Sequence, residues 1–539
     1  MTIATVVGMR TAGRSEATRG LCAIRAVSIS AAVLLLTSCA PLLAANPRYA
    51  TDSGAGPQGQ PATTSTVAGP PPIAAPKNDQ ALQWRDCTAQ TFTAASTAPV
   101  PGVKLDCATF DADLDPISGA NGSIDIGVVR ASTSDTPADA GPLVMTTGSD
   151  LPSSSQLPVW LTRGGTDVLK THPVVAIDRR GIGLSAAINC RDGFDRQEMI
   201  DQAQFESGDD PVANLSAIAQ TATTSCTDTI APGDSAYDNA HAAEDIERLR
   251  STWDADTIAL LGVGNGAQVA LAYAGSHPNK VSRLVLDSPL PLAINAEATA
   301  EQKVKGQQAA LDAFAAQCAA VNCPLGPDPK GAIDAILSSA RAGNGPGGAS
   351  VAAVADAIST ALAFPRGDRV AATNALAGAL ASARGGDATA LNTLISQADA
   401  TRQTDGQFVN GCSDALNRPT PDRVRELVVA WPKLYPQFGA VGALRMVNCL
   451  SWPSGTAPKD PKDLKIPVLL LGVQNDPIIG NEGVAAVAAT MINAGATSKR
   501  VIWQGIGHGA SIYSPCALAP VLGYLDSGKL PGNDTFCPA

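Results

Sequence analysis

The sequence predicts an α/β architecture: a mostly parallel central sheet flanked by helices and interrupted by an all-helical insertion. Three observations predict it. From residue 124 onward, short apolar runs alternate with longer amphipathic segments, the pattern of strands joined through helices. One of these runs, TIALLGVGNGAQ from Thr257, passes through a Gly-rich turn straight into a helix-like segment. Residues 292–410 are Ala-rich, break at glycines and contain no strand-like run, so they read as helices. With 539 residues, 45% hydrophobic and 16% charged, the chain can bury a large core over several domains.

At the N-terminus, Arg10, Arg14, Arg19 and Arg25 precede the short apolar stretch 26–36. That stretch is too short to span a bilayer and reads as a signal peptide, residues 1–38. It ends in Leu36-Thr37-Ser38-Cys39, which resembles a bacterial lipobox and implies lipidation at Cys39. Residues 39–80, rich in Pro, Gly, Ser and Thr, read as a tether between lipid and folded body. The expected location is therefore the outer face of the bacterial cytoplasmic membrane, with the membrane as partner through the lipid. The net charge is −11, and the body carries no run of Lys and Arg, which argues against a nucleic-acid partner.

Of the 12 cysteines, Cys22 leaves with the signal and Cys39 takes lipid. An even set of ten remains in an oxidising compartment. Sequence alone permits roughly a thousand pairings; the pairing adopted joins neighbours, Cys87–Cys107, Cys190–Cys226, Cys318–Cys323, Cys412–Cys449 and Cys516–Cys537. Zinc at Cys318 and Cys323 is the rival reading, but none of the four His lies near them. No metal and no cofactor are expected.

Buried strands are predicted at 124–129, 142–146, 174–177, 257–262, 283–287, 467–471 and 500–503. They divide the folded body into a first core part, 81–291, a helical cap, 292–410, and a second core part, 411–539. His241 and His172 read as surface residues without metal-ligand company.

The turn after 257–262 carries the chemistry. Strand, sharp turn and helix form a nucleophile elbow, G-x-S-x-G, when serine stands in the middle. Gly262 and Gly266 hold the flanking places, and Gly264 stands where the nucleophile should be. The same glycines also fit a dinucleotide fingerprint, Gly262-x-Gly264-x-x-Ala267 with Asp287 further on; against it, several strands precede the motif. Downstream, an apolar strand ends at Asp476 and another at His508-Gly509. Nucleophile position, Asp, His is the chain order of an α/β-hydrolase triad.

Further segments extend the likeness: Asp178-Arg-Arg-Gly181-Ile-Gly183-Leu-Ser185, Arg283-Leu-Val-Leu-Asp287, Cys412-Ser-Asp414, Cys449-x-x-Trp452-Pro453 and Ser514-Pro515-Cys516 with Cys537. In this order they resemble the exported tripeptidyl-aminopeptidase branch of the proline-iminopeptidase-like serine peptidases, over the chain from about Trp84 to Cys537. The resemblance implies an α/β-hydrolase fold with a helical cap, the same neighbour disulfides, and catalytic roles at Asp476 and His508. It places the oxyanion-hole N–H groups at Asn265 and in the loop of Gly148.

Two departures fall on the chemistry. Gly264 offers no Oγ, and losing a nucleophilic serine costs about 10⁶-fold in turnover. The oxyanion loop, TTGSDLPSSS from Thr146, retains only Gly148 of a Gly-rich run and brings Asp150 near a developing oxyanion. The leading expectation is a pseudo-hydrolase that binds a peptide or small molecule. The alternatives are an active peptidase or esterase in which His508–Asp476 activates a water in the room left by Gly264, a serine recruited from a mobile loop at 153–155, and a dinucleotide-binding protein.

Overall fold

A computed structural model describes residues 71–119, 121–202 and 209–539. The signal segment, Cys22, Cys39 and the tether up to residue 70 lie outside the described residues. The strands are β1 (Arg85–Asp86), β2 (Lys104–Asp113), β3 (Ser123–Ser132), β4 (Leu143–Thr146), β5 (Val174–Ile177), β6 (Ile258–Val263), β7 (Val281–Asp287), β8 (Val468–Asn475), β9 (Ser498–Ile506) and β10 (Thr535–Cys537). They form one ten-stranded sheet in the order β1-β2-β3-β5-β4-β6-β7-β8-β9-β10. The pairs from β1 to β5 are antiparallel and all pairs from β5 to β10 are parallel. This is the α/β-hydrolase fold.

Every residue of β4, β5, β6 and β7 is buried, because helices cover both faces of the sheet; such strands read as unbroken apolar runs. Period-two alternation sends Ile258 and Leu260 into one core layer, with Ile246 and Leu249. Ala259, Leu261 and Val263 enter the opposite layer, with Leu157 and Trp160. Strands β1, β2 and β10 were not among the predicted runs. β2 alternates buried and exposed residues around charged positions, and β1 and β10 are short edge pieces.

Between β7 and β8 the chain is helical: Ala296–Ala320, Pro329–Arg341, Val351–Ala363, Arg369–Arg384, Thr389–Arg402, Asp405–Asp414, Pro421–Ala430 and Gly439–Arg445. The cap boundary expected at 410 falls inside Asp405–Asp414, and helical turns run on to Cys449. Locally, Thr404 makes a capping box with Gln407, and Thr420 caps a helix with Pro421 at its first turn, both strong helix starts. Five disulfides join Cys87–Cys107, Cys190–Cys226, Cys318–Cys323, Cys412–Cys449 and Cys516–Cys537. One pair closes on the cap's own turns and one ties the last helix to β10. Asp405, at the start of a cap helix, accepts the N–H groups of Cys190 and Arg191 and pairs with both Arg191 and Arg196. These contacts stitch the cap to the core.

Candidate active site

The elbow follows β6. Gly264 has φ 60° and ψ −121°, a conformation in which any side chain is strained. Its neighbours are glycine for want of space. A Cβ at Gly262 would lie 2.4 Å from the Gly266 carbonyl oxygen, and one at Gly266 would lie 2.0 Å from that of Thr146. The helix Asn265–Ser276 starts here.

Asp476 follows β8 and His508 follows β9, both buried. Nδ1 of His508 lies 3.1 and 3.0 Å from the two Asp476 oxygens. Asp476 also accepts N–H groups from Ile478 and Ile479, which fixes the carboxylate. The His508 loop is pinned by Asp287, whose carboxylate accepts the N–H groups of Ala510 and Ser511 and the Ser511 hydroxyl. From the cap, the Ala363 carbonyl accepts the His508 N–H at 2.9 Å, and Phe364 meets the ring edge-on. Gly264, Asp476 and His508 thus meet as the chain order predicts.

Asp150 fills the place of the absent nucleophile. A Cβ at Gly264 would fall 2.0 Å from Asp150 Oδ2 and 2.4 Å from His508 Nε2. That same Oδ2 accepts the Asn265 N–H at 2.7 Å and lies 3.2 Å from His508 Nε2. The imidazole N–H is not aimed in line at it, so this second contact is one of charge more than of directed hydrogen bonding. A carboxylate at the first N–H of a helix is favoured by the helix dipole.

The expected oxyanion donors are therefore not available. Asn265 N–H is held by Asp150, and Gly148 N–H turns back to Thr146 Oγ1 at 3.2 Å. The loop is clamped in this shape. Ser149 N–H donates to Asn265 Oδ1, Arg402 donates to the Asp150 carbonyl, and Gln407 Nε2 reaches the Ser149 and Asp150 carbonyls. The room expected at Gly264 for an activated water is taken by the Asp150 carboxylate. The dinucleotide reading meets the same obstacle: the helix N-terminus already holds an anion, and Asp287 is buried under the His508 loop.

Charge follows from this packing. Burial alone would raise the Asp150 pKa, but the His508 contact, Arg402 and the Asn265 N–H outweigh it and hold it below the ordinary value. Burial would likewise depress His508; Asp476 and Asp150 on its two sides overcome this and push it up to about 10. At neutral pH the imidazole is a cation between two carboxylates. A general base must be neutral at its free nitrogen, a state that the two flanking carboxylates disfavour.

Other expectations meet different surroundings. Ser153–Thr162 is a helix and not a mobile loop. Ser153 Oγ accepts the Thr147 N–H, and Ser154 donates to buried Asp178, so neither serine is poised as a nucleophile. His241 is buried, not on the surface. It sits between Asp238 at 2.8 Å and Asp115 at 3.1 Å, where burial is outweighed by the two carboxylates and the pKa is raised. His172 is half-buried, with Nδ1 2.9 Å from the Gly141 carbonyl. Among the described residues no cluster of three His, Cys, Asp or Glu is placed to hold a metal.

Sequence reasoning also missed functional neighbours. Arg179, buried, donates to Asn265 Oδ1 and Asp414 Oδ2, tying elbow to cap. A cavity of about 340 Å³ opens over the elbow, with Lys303, Arg402 and Arg445 on its cap wall. These cations stand singly on separate helices, so no local motif marks them.

Residues 435–537 match the family model of the TAP-like proteins. Serine protease Hip1 of Mycobacterium tuberculosis and of Mycobacterium bovis is 27% identical over 279 residues, which is 50% of this chain. The chain spans about half, 52%, of the length of these curated relatives. Among solved structures, MGS-M2, an α/β-hydrolase enzyme from a Medee basin deep-sea metagenome library, is 14% identical. The alignment covers 76% of this chain and 96% of that one, with a TM-score of 0.37. A bacterial membrane phospholipase A is 13% identical over 82% and 89%, with a TM-score of 0.34.

Proposed function

We propose that this chain, which matches the TAP-like proteins over residues 435–537, keeps an α/β-hydrolase fold with a closed hydrolytic centre, and that it acts by binding a ligand in the cavity beneath its cap. The observation that carries this reading is the Asp150 carboxylate. It takes the position of the missing Oγ, consumes the N–H meant for an oxyanion and keeps His508 charged. Each of these alone opposes acyl transfer. The proposal includes export and lipid anchoring at Cys39 on the outer face of the cytoplasmic membrane. Five disulfides support an oxidising compartment.

The test restores the centre stepwise, against short esters and tripeptides. Gly264→Ser alone should stay inactive and lose stability, because its Cβ would overlap Asp150 Oδ2. Asp150→Ala with Gly264→Ser frees both the space and the Asn265 N–H, and should raise ester turnover by at least about 10²-fold. Turnover by the unaltered protein that vanishes in His508→Ala would overturn the reading.

A further inference from the structure

The cavity over the elbow has a wall whose charges are unevenly satisfied. Its carboxylates are engaged: Asp150 with His508 and Asn265, Asp414 with Arg179, Asp238 with His241. Arg191 on the same wall pairs with Asp405, and Arg418 is held by the carbonyls of Cys412, Trp452 and Pro453. The cap side differs. Arg445 holds Asp356 at 2.7 Å, and Asp356 is shared with Gln403. Arg402 gives one N–H to the Asp150 carbonyl. Lys303, on the helix Ala296–Ala320, lines the cavity, and among the described residues its ammonium makes no hydrogen bond or ion pair.

Three cations from three helices, Ala296–Ala320, Thr389–Arg402 and Gly439–Arg445, therefore meet at one wall. Like charges held together in a half-buried space repel unless an anion sits among them. Beside the engaged polar groups, the wall carries an apolar patch of Leu290, Ile294, Val304, Phe408, Ile478 and Ile479. At about 340 Å³ the space is at the small end of ligand pockets.

We propose that this cavity binds a small organic carboxylate, its anionic end held by Lys303, Arg402 and Arg445 and its apolar body lying against Leu290, Ile294 and Ile478. The inference rests on the binding role proposed above and names the ligand class. A single unsatisfied ammonium calls for one negative charge, and the apolar patch beside it calls for a hydrocarbon body. An amino-terminal ammonium would be repelled by the same three groups.

The Lys303 surroundings add a pH signature. Burial, then Arg445 and Arg402, lower its pKa to about 7 against the smaller opposing pull of Asp356 and Asp150. A bound carboxylate would favour the charged amine, so binding should take up a proton above neutrality and weaken as pH rises.

Titration calorimetry with hexanoate, hexanamide and hexylamine tests the proposal. Hexanoate should bind at least about tenfold more tightly than hexanamide, since charge-assisted bonds are the stronger ones, and hexylamine should give no heat. Hexanoate should bind more tightly at about pH 6 than at about pH 8.5 and take up protons at the higher pH. Lys303→Met should lose at least about tenfold in affinity and Lys303→Arg should retain it. If Lys303→Met fails to fold, the ligand series and Lys303→Arg still decide. Absence of hexanoate heat, equal binding of the amide, or tighter binding of the amine overturns the proposal. Ester turnover assayed on the same protein judges the closed centre separately: turnover lost in His508→Ala would overturn that reading, whatever hexanoate does.

Discussion

Two histidines in this molecule are each embraced by two carboxylates. His241 at the start of the helix Asn239–Thr252 lies between Asp238 and Asp115, hydrogen-bonded to both. His508 at the elbow lies between Asp476 and Asp150. The first joins a helix start to the loop after β2 and has no place in any catalytic chain order. The second stands in triad order, yet its surroundings are of the same kind. What separates a catalytic from a structural histidine is the partner of the second nitrogen. A neutral hydroxyl leaves the imidazole free to accept a proton, whereas a carboxylate fixes it as a cation. By that criterion the surroundings of His508 match those of the buried ion cluster at His241, which is what the proposed closed centre requires.

The comparison is broken most severely by removing the histidines. His508→Ala leaves Asp150 and Asp476 facing each other without a cation and should destabilise by about 3–5 kcal/mol. His241→Ala should cost somewhat less, about 2–3 kcal/mol, because Arg179 lies near enough to act on Asp238. Denaturant unfolding of both variants measures the order. A catalytic histidine commonly sits at some expense to stability, so a His508→Ala protein as stable as its parent would separate the two sites again.

Asp150→Asn is gentler, keeping shape while removing charge, and should cost about 1–2 kcal/mol near neutrality. The pH dependence sharpens it. The raised His508 pKa gives stability that is full below about 6.5, the ordinary value, and is lost as pH rises toward about 10. The lowered Asp150 pKa gives stability present above its ordinary value, about 3.9, and lost as pH falls below it. The triad therefore contributes most between about pH 4 and 6.5, and in Asp150→Asn the alkaline decline should still begin near about 6.5 but end at lower pH. Urea midpoints across that range check the shift.

Much of this architecture is legible in the sequence because burial on both sheet faces leaves a direct mark. β4 to β9 stand out as apolar runs, and Gly262, Gly264 and Gly266 mark a turn where a Cβ has no space. Chain order alone brings Asp476 and His508 to the elbow. β2 left only an alternation, K-L-D-C-A-T-F-D-A-D, which a period-two reading extended before residue 124 could have found. The cap limit was hidden because residues 411–449 carry fewer alanines than the helices before them while keeping helical caps. Asp150 was visible as a charge in the oxyanion loop. Its seat beneath Gly264 was not, because that depends on Arg402 and Gln407, some 250 residues further on, folding the loop inward. Lys303, Arg402 and Arg445 left no trace, since spacing on an Ala-rich helix does not say which face meets a cavity.

The charge state of His508 tests the closed centre most directly. With four histidines in the chain, imidazole resonances can be assigned by a His508→Gln variant and followed by nuclear magnetic resonance as pH is raised. His508 should remain an imidazolium through neutrality and titrate only toward about 10, falling well below that in Asp150→Asn. Titration of His508 near 6.5, unchanged in Asp150→Asn, would show a neutral base at the elbow and contradict the account.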